Sequence, residues 1–315
     1  MTPGRDLDEI LGDFEESGYR LLIIGASSFI GRGFLSHLSQ RAVLGTFNST
    51  PFEGGVHFDA QTDDLPSVLS SLSEFSHALI LFGIATPDEC ARNPDRAYQL
   101  NVISSKKVID SLVQHGVMPI FASSEAVFDG SKGMYTEDDP PTPILIYGRH
   151  KVEVEQYLRE QEVPYLILRL ARVFGTEPND GTLLTGMVDL LAQNADIKCA
   201  EDQIMSPIHI DEVVAITLAL CLAEKRGTFH LAGPEALSRY EVLMHILREY
   251  TKFAKYTGKI SKVPLSSFKT EEKRPLNTSL SPARALEATG FRLKGIREWS
   301  AVALSKWRKH VENKA

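Results

Sequence analysis

A tyrosine and a lysine stand four residues apart in Tyr147-Gly148-Arg149-His150-Lys151. The same chain carries two adjacent serines, Ser123-Ser124, followed by Glu125, and a glycine-bracketed run, Gly25-Ala26-Ser27-Ser28-Phe29-Ile30-Gly31. On a helix, the spacing of Tyr147 and Lys151 puts phenol and ammonium on one face. At about 4 Å and an effective dielectric near 20 their attraction is on the order of 4 kcal/mol, enough to lower a tyrosine pKa by up to about three units. A phenol so lowered is a proton donor that works near neutrality. Alone, a Y-x-x-x-K pair at a helix start is usually a solvated surface pair. Its position after a serine-rich strand end, in a chain with a glycine turn, is what gives it chemistry.

Those groups need a scaffold to bring them together, and the sequence supplies one. Leu21 to Ile24 form a short buried strand, and Phe29, Ile30, Phe34, Leu35 and Leu38 then recur at helical spacing. Gly25 allows the tight turn between strand and helix, and Gly31 lets the helix lie against the strand. The free N–H groups and positive dipole end of that helix suit a pyrophosphate. Ser28 replaces the middle glycine of the usual spacing, so the backbone approach there is looser. Further strands are predicted at Ala42 to Phe47, Val56 to Phe58 (ending at Asp59-Ala60), His77 to Phe82, Val117 to Ala122 and Tyr165 to Leu170. Helices are predicted from Pro94 to Gly116, with Asn101 inside as a buried hydrogen-bonder, and from Tyr147 to about Glu160. Ser123 and Ser124 then lie just past a strand's carboxyl end, the edge where open parallel sheets bind ligands.

The end of the second strand separates cofactors. An acidic residue there would bind the 2′-OH of NAD and repel a 2′-phosphate. The sequence instead reads Thr46-Phe47-Asn48-Ser49-Thr50, with Arg32 next to the last glycine of the turn. This favours NADP(H) and leaves NAD(H) open; Asn48, Ser49 and Thr50 are also ordinary turn formers.

Beyond the sixth strand, Leu183 to Leu191 is helical, Ala195 to Ala200 is a candidate strand, and Ser206 to Asp211 opens another helix. Thr228 to Leu231 returns to the first sheet, and a helix follows from Ser238 to Tyr250. The expected organisation is an N-terminal extension (1–18), a dinucleotide-binding domain (19–175, with 211–233 returning to it) and a substrate-binding region (176–210 and 234–315). Residues 1–18 suit an acidic amphipathic helix through Leu7, Ile10, Leu11 and Phe14, and 306–314 a charged, solvated helix end. The fold class is α/β, a Rossmann-type doubly wound parallel sheet with a smaller C-terminal α/β region.

Bulk properties narrow the function. The 315 residues carry a net charge of -7 with 43% hydrophobic residues, so a sizeable core is available and no basic stripe for nucleic acid is present. No apolar run reaches the roughly 18 residues of a membrane span, and the start is acidic where a secretory signal is basic. A cytoplasmic protein is expected. Cys90, Cys199 and Cys221 are too few and too scattered for a disulfide or zinc framework, read best as small buried hydrophobes, and no metal site is expected.

Taken together, Gly25 to Gly31, Asn101-Val102, Ser123-Ser124 to Gly130 and Tyr147 to Lys151 fall in the order of the extended short-chain dehydrogenase/reductase family, which this chain strongly resembles over residues 19–305. Ser123 to Gly130, Ile167-Leu168-Arg169 to Gly175, and Arg274-Pro275-Leu276-Asn277 are most similar to dTDP-4-dehydrorhamnose reductases and related nucleotide-sugar reductases. The resemblance implies reduction of a nucleotide-linked 4-keto-6-deoxy sugar, with Ser124, Tyr147 and Lys151 catalytic. It implies cofactor contacts from Gly25, Ser27, Ser28, Phe29, Ile30, Gly31, Arg32, Asn48, Ser49, Asp59, Ala60, Gly83, Ala85, Asn101, Tyr147 and Lys151. It implies substrate contacts from Glu125, Arg172, His209 and Arg274, the last on the sugar nucleotide's pyrophosphate, although His209 reads better as a structural histidine. A homodimer is implied through helices at about 94–115 and 148–161. Dehydratases and epimerases of the family reuse the same triad, and Glu125 sits where a dehydratase carries an acid/base carboxylate. A rival of another class is a non-catalytic cofactor-binding regulator, of which the regulatory beta subunit of methionine adenosyltransferase is a fold relative; the intact triad argues against it.

Overall fold

The structure, a computed structural model, describes residues 4–69 and 71–313. Its centre is a seven-stranded, all-parallel sheet built from β1 (Leu21–Ile24), β2 (Val43–Phe47), β3 (Val56–His57), β4 (His77–Ile80), β5 (Met118–Ser124), β6 (Leu166–Leu170) and the late strand Gly227–Leu231. The late strand lies at one edge and is followed across the sheet by β6, β5, β4, β1, β2 and β3. The order reverses between β1 and β4, so the carboxyl ends of those strands part and leave a crevice, the place where such sheets take ligands. Strands β1, β4 and β6 are buried along their whole length, as expected of strands covered on both faces.

One face is covered by α1 (Leu7–Glu16), α2 (Phe29–His37) and the helix Ile210–Leu222. Ile210–Leu222 is apolar nearly all round and buried almost throughout. Such a helix needs a second cover besides the sheet. The N-terminal extension supplies it, because Ile10 and Phe14 of α1 are fully buried in the same core. The other face is covered by Ser105–Gln114 and Ile146–Glu160, whose Val108, Ile109, Leu112, Val154 and Leu158 are buried against the strands. A separate apolar core joins the helices Leu183–Ala192, Arg239–Tyr250 and Ile296–Glu312 next to a parallel pair, Ile197–Ala200 with Ile260–Val263. All three cysteines are buried and free. No helix among the described residues is long and apolar enough to cross a membrane.

Two expectations change in detail, and a third runs past the described residues. The helix read from Pro94 to Gly116 runs unbroken from Pro94 to Gln114 but widens into a π turn at Gln99–Ser104. Such turns gather at functional sites, and this one carries Asn101. Strand β5 does not stop at Ala122 but runs through both serines, because β6 pairs with it that far, Ser123 opposite Arg169 and Ser124 opposite Leu170. The last helix ends at Glu312, and Lys314 lies outside the described residues.

Candidate active site

The dinucleotide site is built from backbone. Gly25 has φ +93°, and a Cβ there would stand 2.9 Å from the Phe82 nitrogen of the neighbouring strand end. At Gly31 a Cβ would meet the Ala26 backbone at 2.5 Å, so α2 can approach the turn only with glycine in that place. Ser28 does more than replace a glycine: it caps α2, its Oγ accepting from the Gly31 N–H at 3.1 Å. Gly25, Ser27, Ser28, Asn48, Ser49, Ala60 and Gly83 all line one cavity of about 290 Å³ at the crevice. Arg32 is exposed at the turn and donates from Nη1 to the Ser27 carbonyl at 2.6 Å. Thr46, which the sequence did not single out, accepts from the Gly25 N–H at 3.2 Å and pins the turn to β2.

Other expected cofactor contacts play supporting parts. Phe29 and Ile30 pack partly buried against the core below the first turn of α2. Asp59 is occupied in its own turn, accepting from Gln61 N–H and donating its amide to Asp63. Ala85 is exposed and does not line the cavity. Asn101 is buried, its Oδ1 accepting from the Ile84 N–H at 2.7 Å and its Nδ2 donating to the Ile84 carbonyl at 3.0 Å. It therefore fixes the Gly83-Ile84-Ala85 loop instead of reaching into the cavity.

Ser124 ends β5, and Tyr147 and Lys151 stand on the first turns of Ile146–Glu160. The Ser124 hydroxyl and the Tyr147 phenol face each other, and Arg172 and Glu125 are near enough for their charges to act on the phenol. Tyr147 departs from expectation. Burial holds its pKa above the ordinary value of 10.0, with the Ser124 hydroxyl opposing. Lys151 is turned elsewhere: its Nζ donates to the Ala122 carbonyl at 2.7 Å and lies 4.5 Å from the Phe121 ring centroid and 5.6 Å from that of Tyr147. Burial pushes the Lys151 ammonium down to about 8. Of its three donors one is spent on Ala122.

Beneath these residues lies a group that periodicity did not reveal. Glu155 and Arg169 are 0% and 1% exposed. Arg169 donates to Glu155 through Nε at 3.0 Å and Nη2 at 2.8 Å, a two-pronged pair. Ser123 Oγ donates to the same carboxylate at 2.5 Å, and Arg159 Nη2 at 2.9 Å. Burial alone would raise the Glu155 carboxyl, but Arg169 holds it below its usual range. The signal was present in Leu166-Ile167-Leu168-Arg169-Leu170, where an arginine inside a buried strand requires an acid.

The substrate side divides. Glu125 follows Ser124, and burial raises its carboxyl to about 7 against the pull of Arg172 and Thr278. Arg172 is exposed just beyond β6, and Arg239, absent from the sequence reading, lies close enough that the two guanidiniums repel. Arg274 is paired with Asp88, Nη2 to Oδ1 at 2.7 Å, while its Nη1 is buried with no partner. His209 takes the structural one of its two readings and not the substrate contact. It is 2% exposed, stacked 3.6 Å from Trp299, and caps Ile210–Leu222 by accepting from Asp211 N–H at Nδ1. Burial lowers it to about 4, so it is a neutral structural histidine.

The RmlD substrate binding domain model matches residues 19–308. Methionine adenosyltransferase 2 subunit beta of Bos taurus is 30% identical, over 93% of this chain and 91% of its own. The dTDP-4-dehydrorhamnose reductase of Aggregatibacter actinomycetemcomitans is 26% identical, over 89% of this chain and 99% of its own. Among solved structures, the dTDP-4-dehydrorhamnose reductase of Bacillus anthracis in complex with NADP superposes with a TM-score of 0.74, at 21% identity, covering 92% of this chain and 99% of its own. With the glycine turn, the reversed strand order and the Ser-Tyr-Lys set on one sheet edge, these matches mean that the chain belongs to the RmlD substrate binding domain family, within the extended short-chain dehydrogenases/reductases.

Proposed function

We propose that the chain is an NADP(H)-dependent reductase of a nucleotide-activated 4-keto-6-deoxy sugar. The observation that carries this reading is the meeting of Ser124, Tyr147 and Lys151 at the carboxyl edge of the sheet that also bears the glycine-turn cavity. When bound, NADPH supplies the hydride that reduces the carbonyl carbon. Ser124 holds the carbonyl oxygen by a hydrogen bond, and Tyr147 gives that oxygen its proton. Because burial favours the neutral phenol, Tyr147 is protonated before the reaction, as a donor must be. Lys151 stabilises the phenolate left behind and offers its remaining N–H groups to the nicotinamide ribose. Arg172 and Arg239, close enough for their guanidiniums to repel, suit a diphosphate, to which a guanidinium fork binds in pairs, and Arg274, whose Nη1 is unpaired beside its Asp88 ion pair, is a further candidate for the same ligand. The test is NADPH oxidation with dTDP-4-keto-6-deoxyglucose and its uridine-linked counterpart: turnover is expected with at least one, and NADPH binding with neither oxidised contradicts the reading.

Cofactor choice follows from β2, which ends without a carboxylate. NADPH should bind more tightly than NADH, and Arg32→Ala should erase much of the difference in a fluorescence titration; equal affinities in the parent protein would overturn this.

A homodimer through the helices at about 94–115 and 148–161 belongs to the same proposal. Their apolar faces are already spent on the sheet, so pairing would use the outward side, where Ile103 is 43% exposed and Tyr157 donates to Asp110. Light scattering at micromolar concentration should give twice the mass of one chain; a single chain's mass would contradict pairing.

A second reading, a non-catalytic NADP-binding regulatory subunit, is favoured by the likeness to methionine adenosyltransferase 2 subunit beta. It predicts cofactor binding with no ketone reduced.

A further inference from the structure

Among the described residues, the buried side-chain polar atoms with no hydrogen-bond partner are Glu125 Oε2, Asp180 Oδ2, Thr217 Oγ1 and Arg274 Nη1. Buried polar atoms are nearly always paired, so each exception asks for a partner not yet present. Asp180 satisfies its other oxygen with Thr182 and Thr185 inside its own loop, and Thr217 lies within a buried helix. Glu125 is different because three elements converge on it. It directly follows Ser124 at the end of β5, the Arg172 N–H and guanidinium face it from the end of β6, and the Thr278 hydroxyl faces it from the C-terminal segment. That segment is held against the same loop by Asn277 N–H donating to the Gly130 carbonyl at 3.1 Å. The carboxyl also acts on the Tyr147 phenol, which places it beside the reacting centre.

We propose that Glu125 reads a hydroxyl on the sugar carbon next to the reducible carbonyl, making the chain selective for keto sugars that keep this hydroxyl. The inference rests on the reductase reading. Ser124 and the Glu125 carboxyl both act on the Tyr147 phenol, so a carbonyl oxygen held between Ser124 and Tyr147 brings the neighbouring ring carbon towards Glu125. An apolar group there would leave Oε2 unpaired, an anion would be repelled, and an ammonium is disfavoured by Arg172. A hydroxyl satisfies the carboxyl in either of its forms, accepting from it when neutral and donating to it when ionised. Sites built around a substrate hydroxyl reject the analogue that lacks it far more strongly than apolar pockets reject a missing methylene.

The experiment uses the full chain with NADPH and compares kcat/KM for dTDP-4-keto-6-deoxyglucose and its 3-deoxy counterpart in the parent, Glu125→Gln and Glu125→Ala proteins. In parallel, calorimetry on the NADP-loaded proteins compares dTDP-rhamnose with its 3-deoxy counterpart. The parent should favour the hydroxylated ligand by about 10- to 100-fold in both readouts. Glu125→Gln should keep part of this preference, and Glu125→Ala should bring it to within about threefold of unity, a loss equal to the preference itself. NADPH affinity should stay the same throughout. Undiminished preference in Glu125→Ala, as expected if an ordered water alone satisfies Oε2, overturns the inference and leaves the reductase reading intact. Glu125-dependent binding preference without turnover sinks the reductase reading alone. Absence of binding by either sugar nucleotide overturns both.

Discussion

Tyr147→Phe should lower turnover by about 100-fold or more while leaving NADPH affinity within a few-fold of the parent. The substitution removes only the phenolic oxygen, so the ring keeps its packing against Ile84, Cys90 and Ala97. The loss falls on the proton that the product alcohol requires. Ser124 would still hold the carbonyl oxygen, which is why a residual rate is expected instead of none. Because burial raises the Tyr147 pKa in the free protein, the group is a poor acid until charge develops on the substrate oxygen. The Lys151 ammonium, pushed down only to about 8, is still charged at neutral pH and can favour the phenolate at that moment. Turnover within a few-fold of the parent, with the sugar nucleotide still bound, would move the assignment to the regulatory reading.

Glu155→Ala should cost about 3–5 kcal/mol of unfolding free energy, because it leaves the Arg169 guanidinium buried without its carboxylate. The pair joins the Tyr147 helix to β6, and Ser123 brings β5 into the same contact one residue before Ser124. A stability loss there is thus also a loss of alignment among Ser124, Tyr147 and Lys151. Replacing Glu155 and Arg169 together by methionine should recover most of the loss, since no orphan charge remains. The sign of the pH dependence follows from the direction of the shift. The folded carboxyl titrates below its ordinary 4.5, so its contribution is complete above that pH and is lost as pH falls through the lower folded value. Denaturant unfolding at pH 7 should therefore separate parent and Glu155→Ala widely, and the gap should narrow on acidification. A difference under about 1 kcal/mol at pH 7 would mean that the pair is no more than a surface contact in effect.

The sheet strands were legible because buried parallel strands are short apolar runs set between glycine and turn residues, and the glycine turn because its spacing is a backbone requirement. What periodicity could not show is where side chains turn. Tyr147 and Lys151 do share one helix face, yet Lys151 reaches the Ala122 carbonyl across the sheet edge, a choice set by which acceptor is free and not by spacing. His209 was ambiguous for the same reason: a histidine at a helix start is a ligand or a cap according to what stacks on it, and Trp299 comes from the last helix, far along the sequence. Asn101 was legible as a hydrogen-bonder, while the π turn around it was not, since an extra residue in a helical turn leaves the apolar pattern almost intact. Glu155 and Arg169 were readable only as a pair, one on a helix and the other on a strand. Arg239 shows its role only once the fold sets it beside Arg172.

The reductase assignment meets its most direct test in the fate of one hydrogen. With NADPH deuterated at the transferable C4 position and dTDP-4-keto-6-deoxyglucose, the protein should yield a sugar carrying deuterium at C4, in step with the NADPH consumed. A product without deuterium, or NADPH that binds and is never oxidised, would contradict the account.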